Sequence, residues 1–88
     1  MIIVSQDKKR IINFKNITDI NIEFIHSDYE LRASFIGECE NFNIGNYEEE
    51  ERAKEVLQEI ITRYQNWENM KMGQPSGICS PVYEIPED

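Results

Sequence analysis

The sequence has one histidine, two cysteines and no long apolar run, and each scarcity excludes a class of protein. Ile2-Ile3-Val4 is the most pronounced apolar stretch, far short of the roughly 20 residues a membrane helix needs. The first residues lack the basic region and long apolar stretch of a secretory signal, so a cytoplasmic location is expected, with no membrane partner. Cys39 and Cys79 lie far apart without an export signal, which points to reduced thiols and away from a disulfide scaffold.

The same scarcities empty most of chemistry's usual motifs. Nucleophilic catalysis needs a Ser, Cys or Thr beside a base that something else orients. His26, the sole imidazole, is expected at the end of a strand facing solvent. Cys39 stands between Glu38 and Glu40, whose charges disfavour a thiolate, and Cys79 has no cation beside it in sequence. No C-x-x-C or H-x-x-x-H pair offers zinc spacing, and Glu48, Glu49, Glu50 and Glu51 have helical, not calcium-loop, spacing. Four scattered glycines make neither a phosphate loop nor a dinucleotide fingerprint. With no catalytic, cofactor-binding or metal-ligating set, the expectation is a non-enzyme without a cofactor.

Acidic charge is abundant. Seventeen acids against nine Lys and Arg give a net charge of −8, while hydrophobic residues make up 40%. Residues 1–35 balance five acids with five bases, so the whole excess lies in residues 36–88. Such a chain is repelled by nucleic acid and by anionic membranes, so direct nucleic-acid binding is not expected. The basic triplet Lys8-Lys9-Arg10 reads as a solvated hairpin tip. At 88 residues there is room for a single domain, 1–88, burying only about 60–65% of the surface its unfolded chain exposes.

Periodicity sets the fold expectation. Ile2-Ile3-Val4 and Ile11-Ile12-Asn13-Phe14 form a first hairpin. Ile20, Ile22 and Phe24 alternate with Asn21 and Glu23, and Tyr29, Leu31, Ala33 and Phe35 alternate with Glu30, Arg32 and Ser34. This is the period of half-buried strands, with a turn expected at Ser27-Asp28. Phe42-Asn43-Ile44 adds another strand. Asn46 is a candidate N-cap with Glu49 three residues on, and Ala53, Val56, Leu57, Ile60, Ile61 and Tyr64 then define one apolar helical stripe. On the outer face of that helix, Glu48–Arg52, Glu50–Lys54 and Glu59–Arg63 have the spacing of favourable ion pairs. Met70 to Pro81 has loop composition, and Val82-Tyr83-Glu84-Ile85, stopped by Pro86, reads as an edge strand or docked tail. The expected fold is α+β: a small antiparallel sheet of four to five strands packed on one amphipathic helix, with a loop and a short C-terminal edge strand. Its segments are a β-meander over 1–45, the helix over 47–67, and loop and tail over 68–88.

Three features carry a resemblance. They are Val4-Ser5-Gln6-Asp7 closing the first strand, Tyr47-Glu48-Glu49-Glu50-Glu51-Arg52-Ala53-Lys54-Glu55-Val56-Leu57 entering the helix, and the tail Tyr83-Glu84-Ile85-Pro86-Glu87. Together they resemble short uncharacterised proteins of Gram-positive bacteria and their phages. The resemblance implies a mobile-element setting and supplies no activity, ligand or site residue.

Two surfaces are candidates for binding. Trp67, Met70 and Met72 extend apolar character beyond the helical stripe; they either cap the open end of the core or, like the strand around Tyr83, offer an adhesive surface suited to a protein partner or to self-association. Alternatively, Glu48, Glu49, Glu50 and Glu51 imitate phosphates toward a basic enzyme, or Arg32 with Tyr29 holds a nucleotide signal. The leading expectation is a protein–protein interaction module; the alternative is an anti-defence inhibitor acting by acidic mimicry or by nucleotide sequestration.

Overall fold

A computed structural model describes residues 1–71 and 82–88, with side chains up to residue 68 and again from residue 82. Among the described residues, six strands and one long helix are arranged α+β: β1 (Ile2–Val4), β2 (Ile11–Asn13), β3 (Ile17–Ile25), β4 (Asp28–Phe35), β5 (Phe42–Tyr47), α1 (Glu50–Lys71) and β6 (Val82–Glu84). The strands do not join into the expected single sheet of four to five. They form two three-stranded sheets, ordered β2-β1-β6 and β3-β4-β5. The break falls at Phe14–Asn16, where a single 3-10 turn, capped by Asn13 accepting the Lys15 N–H at 3.0 Å, redirects the chain. Phe14 therefore belongs to the turn and not to β2.

β3, β4 and β5 form an antiparallel meander, with Ile20 opposite Ala33, Ile22 opposite Leu31 and Leu31 opposite Gly45. Side chains that alternate along each strand leave Ile20, Ile22, Leu31 and Ala33 on one face and Asp19, Asn21, Glu23, Glu30 and Arg32 on the other. The first face receives α1. Leu31, Ala33 and Ile44 meet Ala53, Val56 and Ile60, and all six are at most 2% exposed. On the second face Glu23 and Glu30 stand directly opposite one another. Arg32 resolves that like-charge pairing by contacting Glu30 and reaching Glu23 at 3.4 Å, while Asn41 accepts from its Nε at 2.8 Å.

The smaller sheet is mixed. β1 pairs antiparallel with β2 and parallel with β6. β6 is an edge strand, as the nearby Pro86 requires, and its Tyr83 and the following Ile85 are buried. The two sheets meet at Gln6. Its N–H donates to the Ile44 carbonyl at 2.9 Å, and its side-chain amide accepts the Asn46 N–H at 2.8 Å while donating toward the Asn46, Pro86 and Glu87 carbonyls. Tyr47 donates its hydroxyl to the Pro86 carbonyl at 2.6 Å, and Arg52 donates twice to the Asp88 main-chain oxygen. Gly45 permits this docking, because a Cβ there would stand 3.0 Å from Ile85 Cγ2. The tail is thus held by donors from the turn after β1, from β5 and from α1, and by the Ile85 N–H donating to the Val4 carbonyl at 2.9 Å.

Local chemistry moves several boundaries. Asn46 is not the helix cap: β5 runs on through Tyr47, and the Glu49 carbonyl is the one that accepts the Ala53 N–H, at 3.3 Å. Of the expected helical ion pairs, Glu50–Lys54 forms at 3.8 Å. Arg52 instead reaches Glu55 at 3.3 Å and Glu59 at 3.7 Å, and Glu59 accepts the Tyr83 hydroxyl at 2.6 Å. The β3–β4 turn is His26-Ser27, one residue earlier than expected, with φ of 51° and 69°. Both lie in the left-handed region that a two-residue hairpin with the right twist demands. Lys8, at φ 62°, takes the same conformation in the β1–β2 turn. There the Ser5 hydroxyl and the Lys9 N–H donate to Asp7 at 2.7 and 3.0 Å and hold its carboxyl below the usual carboxylate range.

Replacing His26-Ser27 by Asn-Gly relieves two left-handed side-chain residues and should raise stability by about 1 kcal/mol in urea titration. Burial pushes the Tyr47 phenol up to about 12, with the nearby Arg52 charge opposing that rise. An acid whose folded pKa is raised contributes stability that is present in full below its unfolded value and lost as pH climbs from about 10 toward 12. The melting temperature should therefore fall through that window, and Y47F should fall less steeply than the unmodified chain.

Candidate functional site

The helix does not use its whole apolar stripe. Ala53, Val56 and Ile60 are seated on the sheet, but Ile61 is 43% and Tyr64 37% exposed, with Leu57 half-buried between them. Leu57, Ile61 and Tyr64 form the flank nearest β3. Together with Phe14, Ile17 and Ile20 they line a groove of about 640 Å³ along the boundary between strand and helix. Phe14 closes it by stacking on Tyr64 at 4.7 Å between ring centroids.

β3 is an outer strand of its sheet and, at nine residues, the longest strand in the protein. Hairpin geometry determines which of its main-chain groups are used. In a two-residue hairpin the flanking pair, here Ile25 and Asp28, exchanges both hydrogen bonds, and alternate pairs follow suit. Glu23 and Asn21 thus spend their N–H and C=O groups on β4. Phe24, Ile22 and Ile20 turn theirs the other way, toward an edge that pairs with no strand among the described residues. These are the same residues whose side chains lie on the helix side. Phe24 is expected to be buried with Ile20 and Ile22, yet it is 64% exposed, with its ring 4.8 Å from that of Tyr29.

The expected interaction residues are placed differently. Trp67 is half-buried near the end of α1. Met70 lies on the same helix with its side chain outside the described atoms, and Met72 lies outside the described residues. Tyr83 offers no adhesive surface: it is 5% exposed, bonded to Glu59, and has Arg63 at 5.4 Å over its ring. Its phenol is pushed far above the ordinary value, first by burial and then by the Glu59 hydrogen bond. Arg32 and Tyr29 face opposite sides of β4, and Arg32 is already engaged with Glu30, Glu23 and Asn41, so the two cannot enclose a common ligand.

Glu48, Glu49, Glu50 and Glu51 are exposed at the start of α1. Glu48, Glu49 and Glu51 share a shallow rim with Glu55, Glu87 and Asp88, with Arg52 in its middle. His26 is exposed in its turn, and Cys39 is an exposed free thiol. Among the described residues no three His, Cys, Asp or Glu side chains are grouped to hold a metal, and no helix is long and apolar enough to cross a membrane.

The β3 groove was not among the expected sites. Its signal was nevertheless present in sequence: the helical stripe is six residues wide in its pattern, and an interior helix–sheet seam needs only the Ala53, Val56, Ile60 set. Comparison with protein-family models, with curated proteins and with solved structures finds no match, so no role for any residue is carried over.

Seating and overhang differ energetically, and adjacent residues separate them. Ile60→Ala should cost about 2–4 kcal/mol in denaturant unfolding, because it empties a closed seam. Ile61→Ser, one residue on, should change stability by about 0.5 kcal/mol or less.

Proposed function

We propose that this protein is a non-enzymatic interaction module that takes an extended segment of a partner protein onto the free edge of β3. The observation that carries this reading is a coincidence of two unmet needs on one line of residues. Ile20, Ile22 and Phe24 turn main-chain donors and acceptors toward an edge that no strand covers among the described residues, and at Ile20 that edge runs into the apolar groove of Phe14, Ile17, Leu57, Ile61 and Tyr64. An added strand satisfies the first and its alternate side chains fill the second, which is the general logic of strand addition. Long, unprotected edges are hazardous for a free protein, and natural sheets usually blunt them with proline, bulges or inward-pointing charge. β3 has one irregularity, between Ile17 and Asp19, and then runs regularly to Ile25.

A mobile-element setting suits such a small binding protein and rests on the sequence resemblance alone, while a cytoplasmic one rests on the widely spaced Cys39 and Cys79, which suit reduced thiols. The reading of acidic mimicry has only the exposed rim around Glu48, Glu49 and Glu51 in support, and a charged helix start is already expected from the helix dipole. Strand addition is preferred because it draws on backbone, groove and exposure together.

Selection of extended peptides by display, followed by NMR mapping, tests it. Binders should shift the Ile20, Ile22 and Phe24 amides, and F24P should abolish binding, since proline removes an outward donor without touching the β4 ladder. I61D should weaken the same peptides by charging the groove. Selection that returns no binder, or binders indifferent to both substitutions, would overturn the reading.

A further inference from the structure

Resting on that reading, we infer that the segment taken up by β3 alternates apolar and basic residues, and that the edge discriminates against a second copy of this chain. The inference comes from the face of β3 turned away from the helix. Strands that pair keep same-face side chains adjacent, so an incoming strand sends every second residue toward Asp19, Asn21 and Glu23. Behind these on β4 lie Asp28, Glu30, Arg32 and Ser34, each opposite a β3 residue of that face. The face therefore holds four carboxylates, Asp19, Glu23, Asp28 and Glu30, against the single guanidinium of Arg32.

That guanidinium is already shared. Arg32 contacts Glu30, lies 3.4 Å from Glu23 and donates to Asn41 at 2.8 and 3.2 Å. One cation divided between two carboxylates leaves the patch net negative, with Asp19 exposed and the Glu23 side chain 43% exposed at the open margin. A lysine or arginine on the incoming strand would sit across from these groups, where opposite charges on paired strands attract and like charges repel. The other residues of the incoming strand face Ile20, Ile22 and Phe24 and the overhanging Ile61 and Tyr64, which select apolar side chains.

A second copy pairing through the same edge fails this criterion. It would bring its own Asp19 and Glu23 alongside these, between chains that each carry a net charge of −8. Cross-strand charge of this kind excludes wrong partners as effectively as it attracts right ones.

Three synthetic peptides decide the matter, each with valine at alternate positions and lysine, serine or glutamate between them. Titrated into the full chain at low salt, the lysine peptide should bind about tenfold more tightly than the serine peptide, and the glutamate peptide should bind least. Added salt should shrink the gap. D19N/E23Q should remove the preference for the lysine peptide over the serine peptide. Equal affinity for the lysine and serine peptides, or a preference that survives D19N/E23Q, overturns the charge selectivity and leaves strand addition standing. Failure of all three to bind, with no shift at Ile20, Ile22 or Phe24, overturns both. Sedimentation showing a concentration-dependent dimer that F24P dissociates assigns the edge to a second copy and also overturns the inference.

Discussion

The structure depends on how α1 is seated across the β3-β4-β5 sheet. Ala53, Val56 and Ile60 close against Leu31, Ala33 and Ile44, and every residue of this seam is at most 2% exposed. Its position is set from the far side. The tail is bonded to Tyr47 and Arg52, and Tyr83 to Glu59, so the early turns of α1 are drawn toward β5 and the smaller sheet. A helix pulled to that side covers β4 and β5 and leaves its opposite flank standing beyond β3. Burial of roughly 25 cal/mol per Å² of apolar surface is what the seam gains, and what Leu57, Ile61 and Tyr64 forgo in part.

That asymmetry links stability to the proposed function. In a small domain little apolar surface can be left outside the core without cost. Here the unspent surface is contiguous, runs beside an unpaired strand edge, and is bordered on the opposite face by carboxylates that one arginine only half neutralises. Each feature alone is common on protein surfaces. Along β3 they meet, the groove reaching the edge at Ile20 and the carboxylates lying on the other face.

Much of the fold was legible because its signals are local and periodic. The alternation in Ile20–Phe24 and Tyr29–Phe35 gave the central hairpin, and the 3.6-residue stripe gave the helix. What escaped was non-local or depended on turn chemistry. The division into two sheets turns on Gln6 bridging Ile44, Asn46 and the tail, contacts between residues far apart in sequence. The His26-Ser27 turn was misplaced by one residue because it lacks the Asn-Gly pair that usually marks such turns. Asn46 resembled a helix cap because its amide chemistry suits one, but its main-chain groups were already committed to Gln6. Tyr83 read as surface because edge strands are often exposed, whereas its inward face closes the core. The candidate site was the least legible, since periodicity marks which residues are apolar and not which of them the sheet is wide enough to cover.

The overhang and the open edge are tested most directly by residue-resolved hydrogen exchange along β3 in the free protein. The amides of Asn21, Glu23 and Ile25, bonded to β4, should be protected, while those of Ile20, Ile22 and Phe24 should exchange much faster, giving a strict alternation. Uniform protection of all six amides would mean that the edge is already covered, and would contradict it.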